Sequence, residues 1–187
     1  MVYLTGDTHG ELDRFKEGEL RRAGKGNLVV VLGDFGFVWD GSKAEQKNLD
    51  WLRKRPYTIL FLDGSHENYD LLEQYPTEER FGGLVQPLGG NVYHVCRGRR
   101  TGTGREEVPL LRRSGKPGQG RAGSHVNWWP QEMPSDEEYA RCEAALEANG
   151  WQVDYVLTTT RQANFWISAC WLRARITGCT SSSTRSS

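Results

Sequence analysis

The sequence predicts an α/β fold built on an open sheet, and two observations predict it. Three short apolar runs, "VYLT" (2–5), "LVVVL" (28–32) and "YTILFL" (57–62), each end in Gly-Asp or Asp-Gly. Their unbroken apolar character suits strands buried on both faces. Helical patterns lie between them, and the order strand, helix, strand, helix, strand argues right-handed crossovers.

Each element has its own signature. "ELDRFKEGELRRAG" (11–24) places Leu12, Phe15, Leu20 and Ala23 near one helical stripe and closes on Gly24, which reads as the first helix. "SKAEQKNLDWLRKR" (42–55) opens on Ser42, an expected N-cap, groups Leu49 and Leu52 beside Trp51, and ends in basic residues that complement the helix dipole. "NVYHV" (91–95) reads as a further strand. In "PSDEEYARCEAALEANG" (134–150), Ser135 and Glu138 form a capping box and Asn149-Gly150 a stop. "WQVDYVLT" (151–158) reads as another strand.

Composition bounds the function. Of 187 residues, 26% are charged and 11% aromatic, with seven Trp, a globular composition. The net charge of +0 is an average. Residues 97–124 hold eight Lys or Arg against two Glu, and residues 159–187 hold four Arg and no acid, which leaves 12 basic and 22 acidic residues elsewhere. The longest apolar run near the end, "FWISACWL" (165–172), is far shorter than the ~20 residues of a membrane span. With no charged leader before an apolar core, and with Cys96, Cys142, Cys170 and Cys179 lacking CxxC spacing, a cytoplasmic protein with free thiols and no membrane association is expected.

Two stretches break the α/β pattern. Residues 97–124 are Arg- and Gly-rich with little periodicity, and residues 159–187 pass into Ser and Thr. The first contains no aromatic residue to stack on bases, so nucleic-acid binding is not expected of it. The division that follows is a domain over 1–158 with an atypical insert at 97–124, then a disordered tail over 159–187. The pattern resumes at "VNWWPQEM" (126–133), as it would if the intervening text were translated in a shifted frame.

Chemistry in such a sheet gathers at the carboxyl ends of strands. Those ends carry Asp7-Thr8-His9, Asp34, and Ser65-His66-Glu67-Asn68. Carboxylate oxygens and imidazole nitrogens converging from separate strands suit a divalent transition metal. Each motif alone also fits a turn or a helix cap; three in order favour a site.

"GDTHG", "GDFG" and "GSHEN", in that order, resemble the calcineurin-like metallophosphoesterases over residues 1–96 and again over 126–158. The resemblance implies a four-layer α/β/β/α sandwich, here incomplete in its second sheet. It also implies metal-dependent hydrolysis of a phosphate mono- or diester, on a phosphorylated small molecule or a phosphodiester, with two divalent ions such as Mn, Fe or Zn. Carried over, Asp7 and His9 hold one metal, Asp34 bridges, Ser65 stands at a second-metal position, and His66 is the catalytic histidine. The family has Asn where this chain has Ser65, a His where it has Thr159, and a later Gly-His-x-His that the tail lacks. The first site is thus expected mostly intact and the second depleted. His94 and His125 match no family motif and are expected to be structural or exposed. The alternative is a catalytically inactive member that keeps the fold as a binding or scaffold protein.

Overall fold

A computed structural model describes residues 1–97, 100–101, 108–109, 129–132, 135–148, 150 and 157. The elements are β1 (Val2–Thr5), α1 (Asp13–Lys16), β2 (Leu28–Leu32), α2 (Lys43–Arg53), β3 (Thr58–Leu62), α3 (Tyr69–Leu72), β4 (Glu78–Arg80), β5 (Gly83–Gly89), β6 (Val92–Val95), β7 (Arg100–Thr101), β8 (Val108–Pro109) and α4 (Asp136–Ala148). Strands β1 to β6 form one sheet in the order β1-β2-β3-β6-β5-β4, and β7 pairs with β8 in a separate ribbon. The first four strands of that order run parallel, β5 pairs antiparallel with β6, and β4 pairs antiparallel with β5.

β2 and β3 bury both faces, as their unbroken apolar runs imply, but the expectation is corrected for β1, which lies at the sheet edge and leaves Val2 and Leu4 exposed. Val29, Val31, Ile59, Phe61 and Val92 point to one side, where Phe15, Phe35, Phe37, Leu49, Leu52 and Leu72 complete the core. Val30, Leu32, Leu60, Leu62, Tyr93 and Val95 form a second cluster with Val85 on the other side. The alternation follows from the two-residue period of a strand. The all-charged β4 is exposed along its length and caps the sheet edge, which discourages pairing with another chain.

Helix starts follow their caps. Ser42 accepts from the Glu45 N–H at the head of α2, and Ser135 and Glu138 exchange hydrogen bonds of 3.2 and 2.8 Å at the head of α4. The single helix expected over 11–24 is corrected. α1 stops where Glu17 turns extended at φ −115°, Gly18 takes φ +54°, and a separate 3₁₀ turn covers Leu20–Arg22. Phe15, Leu20 and Ala23 still reach the core, with Leu12 packed at its edge: the apolar stripe is satisfied by two short pieces. His94 is structural, as expected: it is buried, with Nδ1 2.7 Å from Gln86 Oε1. The residues 97–124, 151–158 and 159–187 on which the insert, last strand, second sheet and tail were expected lie mostly outside the described residues, as do His125 and Thr159. Arg97 belongs with the packed body instead, being 9% exposed at its side chain.

Candidate metal centre

Parallel β1, β2 and β3 lie side by side, so the three loops at their carboxyl ends are neighbours. The first two loops are laced by backbone hydrogen bonds. Thr8 and His9 N–H groups both donate to Asp34 O at 3.0 and 2.9 Å, and Gly10 N–H donates to Phe35 O at 3.0 Å. The Thr8 hydroxyl donates to Phe35 O at 2.7 Å. Glycine is required at the crossing: a Cβ on Gly10 would lie 2.7 Å from Gly36 O, and one on Gly36 only 2.6 Å from Gly10 N.

The second and third loops are joined through Glu67, which is fully buried. Its Oε1 accepts from Phe35 N–H at 2.5 Å and its Oε2 from Gly64 N–H at 2.9 Å. Gly64 lies so close under Asp34 that a Cβ would fall 1.9 Å from Asp34 Oδ1.

This lacing presents His9 and Asp34 in the left-handed region, at φ +46° and +43°. Asp and His tolerate that conformation better than most residues, but it costs roughly 1–2 kcal/mol each. Such strain at two adjacent polar residues is a mark of a functional site.

The side chains converge. One ligand atom each from His9, Asp34 and His66 lies within 4.8 Å of the other two, and the two imidazole rings meet edge-on at 4.5 Å. Asp34 Oδ1 accepts from Ser65 N–H at 2.5 Å and His66 N–H at 3.1 Å, while Oδ2 lies 3.0 Å from His66 Nδ1. Asp7 Oδ2 lies 3.7 Å from His9 Nε2. Ser65 is brought to the same loop, but its hydroxyl is 3.4 and 3.5 Å from the Asp34 oxygens.

The electrostatics follow from this crowding. Burial pushes the Asp34 carboxyl up, but the hydrogen bond and charge of His66 and the Ser65 and His66 N–H groups outweigh it and hold it below the usual carboxylate range. Burial and then the charge of Asp34 push Asp7 up. The Asp34 carboxylate, the Asp7 carboxyl whose ionisation its charge makes costlier, and two flanking imidazoles are a donor set that a divalent cation fits.

Three features escaped the sequence reading. The sequence shows Glu67 only as part of the GSHEN strand end, and its latching role depends on a partner 32 positions away. Trp39 stands 5.9 Å from the His66 ring. Asp63, at the end of β3, is enclosed by Arg97, Tyr69 and His94; its position after an apolar run was a signal that could have been followed.

Fold and site together define a class: a mixed α/β sheet with an imidazole–carboxylate cluster at the carboxyl ends of its parallel strands. The chain belongs to the calcineurin-like phosphoesterase family, whose model matches residues 1–159. No curated protein and no solved structure matches it. Among the described residues, no helix is long and apolar enough to cross a membrane.

Proposed function

We propose that the chain is a phosphoesterase that binds one divalent metal and hydrolyses a phosphate mono- or diester, with His66 as its proton donor. The observation that carries the reading is the convergence of His9, Asp34 and His66 on strained, glycine-cradled loops. His9 and Asp34, with Asp7 beside them, would hold the metal, and Ser65 would contribute little. A divalent ion such as Mn, Fe or Zn supplies Lewis acidity toward a phosphoryl oxygen and acidifies bound water.

Asp34 bears on the number of metals. Oδ1 already accepts two backbone N–H groups, which occupy its two lone pairs. Oδ2 accepts from His66 and, at a long 3.5 Å, from the Ser65 hydroxyl, a weak contact that can yield to one further partner. That supports Asp34 as ligand to a single ion instead of a bridge between two.

His66 is oriented by the same carboxylate. An ionised Asp34 can only accept, so His66 Nδ1 carries the hydrogen toward Oδ2. Nε2 is then the atom left to serve substrate, and as imidazolium it can donate to the leaving oxygen while Asp34 stabilises the cation.

Elemental analysis of the purified chain, paired with hydrolysis of an aryl phosphodiester in excess manganese, tests the reading. One metal per chain with turnover is expected, and Asp34→Ala should lose both. A metal-free chain, or unchanged metal content in Asp34→Ala, would overturn the assignment. Metal content without hydrolysis favours the inactive, binding form of the fold.

A further inference from the structure

A cleft of about 350 Å³ opens directly beside His9 and His66 and is walled by Trp39, Asp40, Glu45 and Asn48. Its size is that of a small-ligand site. The indole of Trp39 is half-buried, with its ring 5.9 Å from the His66 ring and inclined by 35° to it.

Trp39 is anchored through its backbone and packed against a second tryptophan. Its backbone N–H donates to Glu45 Oε1, and its carbonyl accepts from Asn68 Nδ2 at 2.8 Å. The same Glu45 carboxylate takes the N–H groups of Asp40 and Gly41 at 3.0 and 2.5 Å. Behind the indole, Trp129 meets it edge-on at 5.5 Å. Trp129 is itself 1% exposed and donates Nε1–H to Asp70 Oδ2 at 2.9 Å. A ring fixed in this way offers a stacking face at little entropic cost.

The polar groups around the cleft select the occupant. Among the described residues no Lys or Arg lines it, while Asp40 and Glu45 do, so a second phosphate at its outer wall would face two carboxylates. The Asn48 side-chain amide, half-exposed at the cleft, has no protein partner among the described residues and offers both a donor and an acceptor.

We infer that this cleft takes the leaving group of the substrate, and that the leaving group is an uncharged planar ring, aryl or nucleobase-like, stacked on Trp39. This rests on the phosphoesterase reading above, which puts the leaving oxygen at His66. Leaving groups that carry a further phosphate are disfavoured by the two carboxylates.

Benzyl phosphate and cyclohexylmethyl phosphate test this cleanly, since their leaving alcohols are of similar acidity and size and differ in the flat ring. The full chain loaded with manganese should prefer the benzyl ester about tenfold in kcat/KM, the scale of one good aromatic contact. Trp39→Phe should keep most of that ratio, whereas Trp39→Ala and Trp39→Leu should bring it near one; the leucine variant serves if the alanine variant does not fold. Calorimetric binding of benzylphosphonate and cyclohexylmethylphosphonate gives a readout independent of turnover. Turnover without a ring preference, or a preference unaltered in Trp39→Leu, overturns the inference and leaves the phosphoesterase reading standing. No turnover of either ester or of the aryl phosphodiester, but a Trp39-dependent preference for benzylphosphonate, supports the ring site and rejects the phosphoesterase reading. No turnover and no binding preference overturns both.

Discussion

Replacing Glu67 with alanine should loosen the joint between the second and third loops. The side chain is fully buried, and each carboxylate oxygen satisfies one backbone donor, Phe35 N–H and Gly64 N–H. Truncation leaves both donors without an acceptor, at roughly 1–3 kcal/mol each. Adding the small void gives a loss of about 4 kcal/mol, a large part of the ~5–15 kcal/mol that holds a domain folded. Glutamine is the informative control. Burial, then the charge of Asp34, pushes the Glu67 carboxyl up to about 8, so near neutrality the neutral form prevails and a neutral amide is a close substitute. It keeps one acceptor but turns an NH₂ toward the other donor, a cost of about 1–2 kcal/mol. Urea unfolding followed by tryptophan fluorescence reads both. At a slope of about 2 kcal/mol/M, Glu67→Ala should lower the midpoint by about 2 M and Glu67→Gln by less than about 1 M. A midpoint within about 0.5 M of the parent for the alanine variant, or equal losses for the two, would falsify the latch.

Other substitutions probe the neighbouring joints. Gly64→Ala places a Cβ 1.9 Å from Asp34 Oδ1 and 2.2 Å from its backbone nitrogen; it should destabilise the fold by at least about 1–3 kcal/mol and weaken metal uptake, and intact metal content by elemental analysis would contradict it. Arg97→Met leaves Asp63, 2% exposed, without its cation; a loss of about 3 kcal/mol is expected by urea unfolding, and a change under about 1 kcal/mol would show the pair to be dispensable. Ser65→Asn should change aryl phosphodiester hydrolysis little, since the main tie of residue 65 to Asp34 is its backbone N–H and Thr159 still stands where the family has a histidine. A large gain from that single change would mean another group completes a second site.

Legibility in the sequence tracked how local the cause was. β2 and β3 were readable because burial on both faces demands an unbroken apolar run, and α2 and α4 because their caps are set by residues three apart; β1 carries the same apolar signature although it is an edge strand with Val2 and Leu4 exposed. The break near Gly18 was not readable, since an apolar stripe survives whether one helix or two short pieces carry it. β5 was missed because its sequence, GLVQPLG, contains Pro87 and lacks alternation; it is a strand through pairing with β6 and β4, across a register shift between Pro87 and Gly89. In the site, the motifs were visible at strand ends, but what holds them was not. Glu67, Gly64 and Gly36 act through contacts that exist only once the loops are neighbours.

Asp34 and Asp63 show why a strand-end acid is not by itself a ligand. Each follows an apolar strand closely, and in the sequence they differ little: "VVVLGD" against "ILFLDG". Around Asp34 the donors are backbone N–H groups, one imidazole and, at a weak 3.4 and 3.5 Å, the Ser65 hydroxyl, and among the described residues no Lys or Arg side chain closes the site. Around Asp63 the ring of partners closes. Arg97 Nη2 and the Tyr69 hydroxyl, at 2.6 Å, both donate to Oδ2, and His94 Nε2 lies 3.4 Å from Oδ1. Burial works to discharge Arg97, but the charge of Asp63 outweighs it and holds the guanidinium protonated, with Glu138 of α4 at 3.6 Å adding to the effect. A carboxylate already neutralised by a buried guanidinium gains little from a metal, and exchanging one cation for the other would strand the arginine. The same residue type at the same kind of position thus becomes a candidate ligand in one loop and a structural anchor in the next. What decides it is Arg97, the first residue of a stretch whose composition gave no hint of packing.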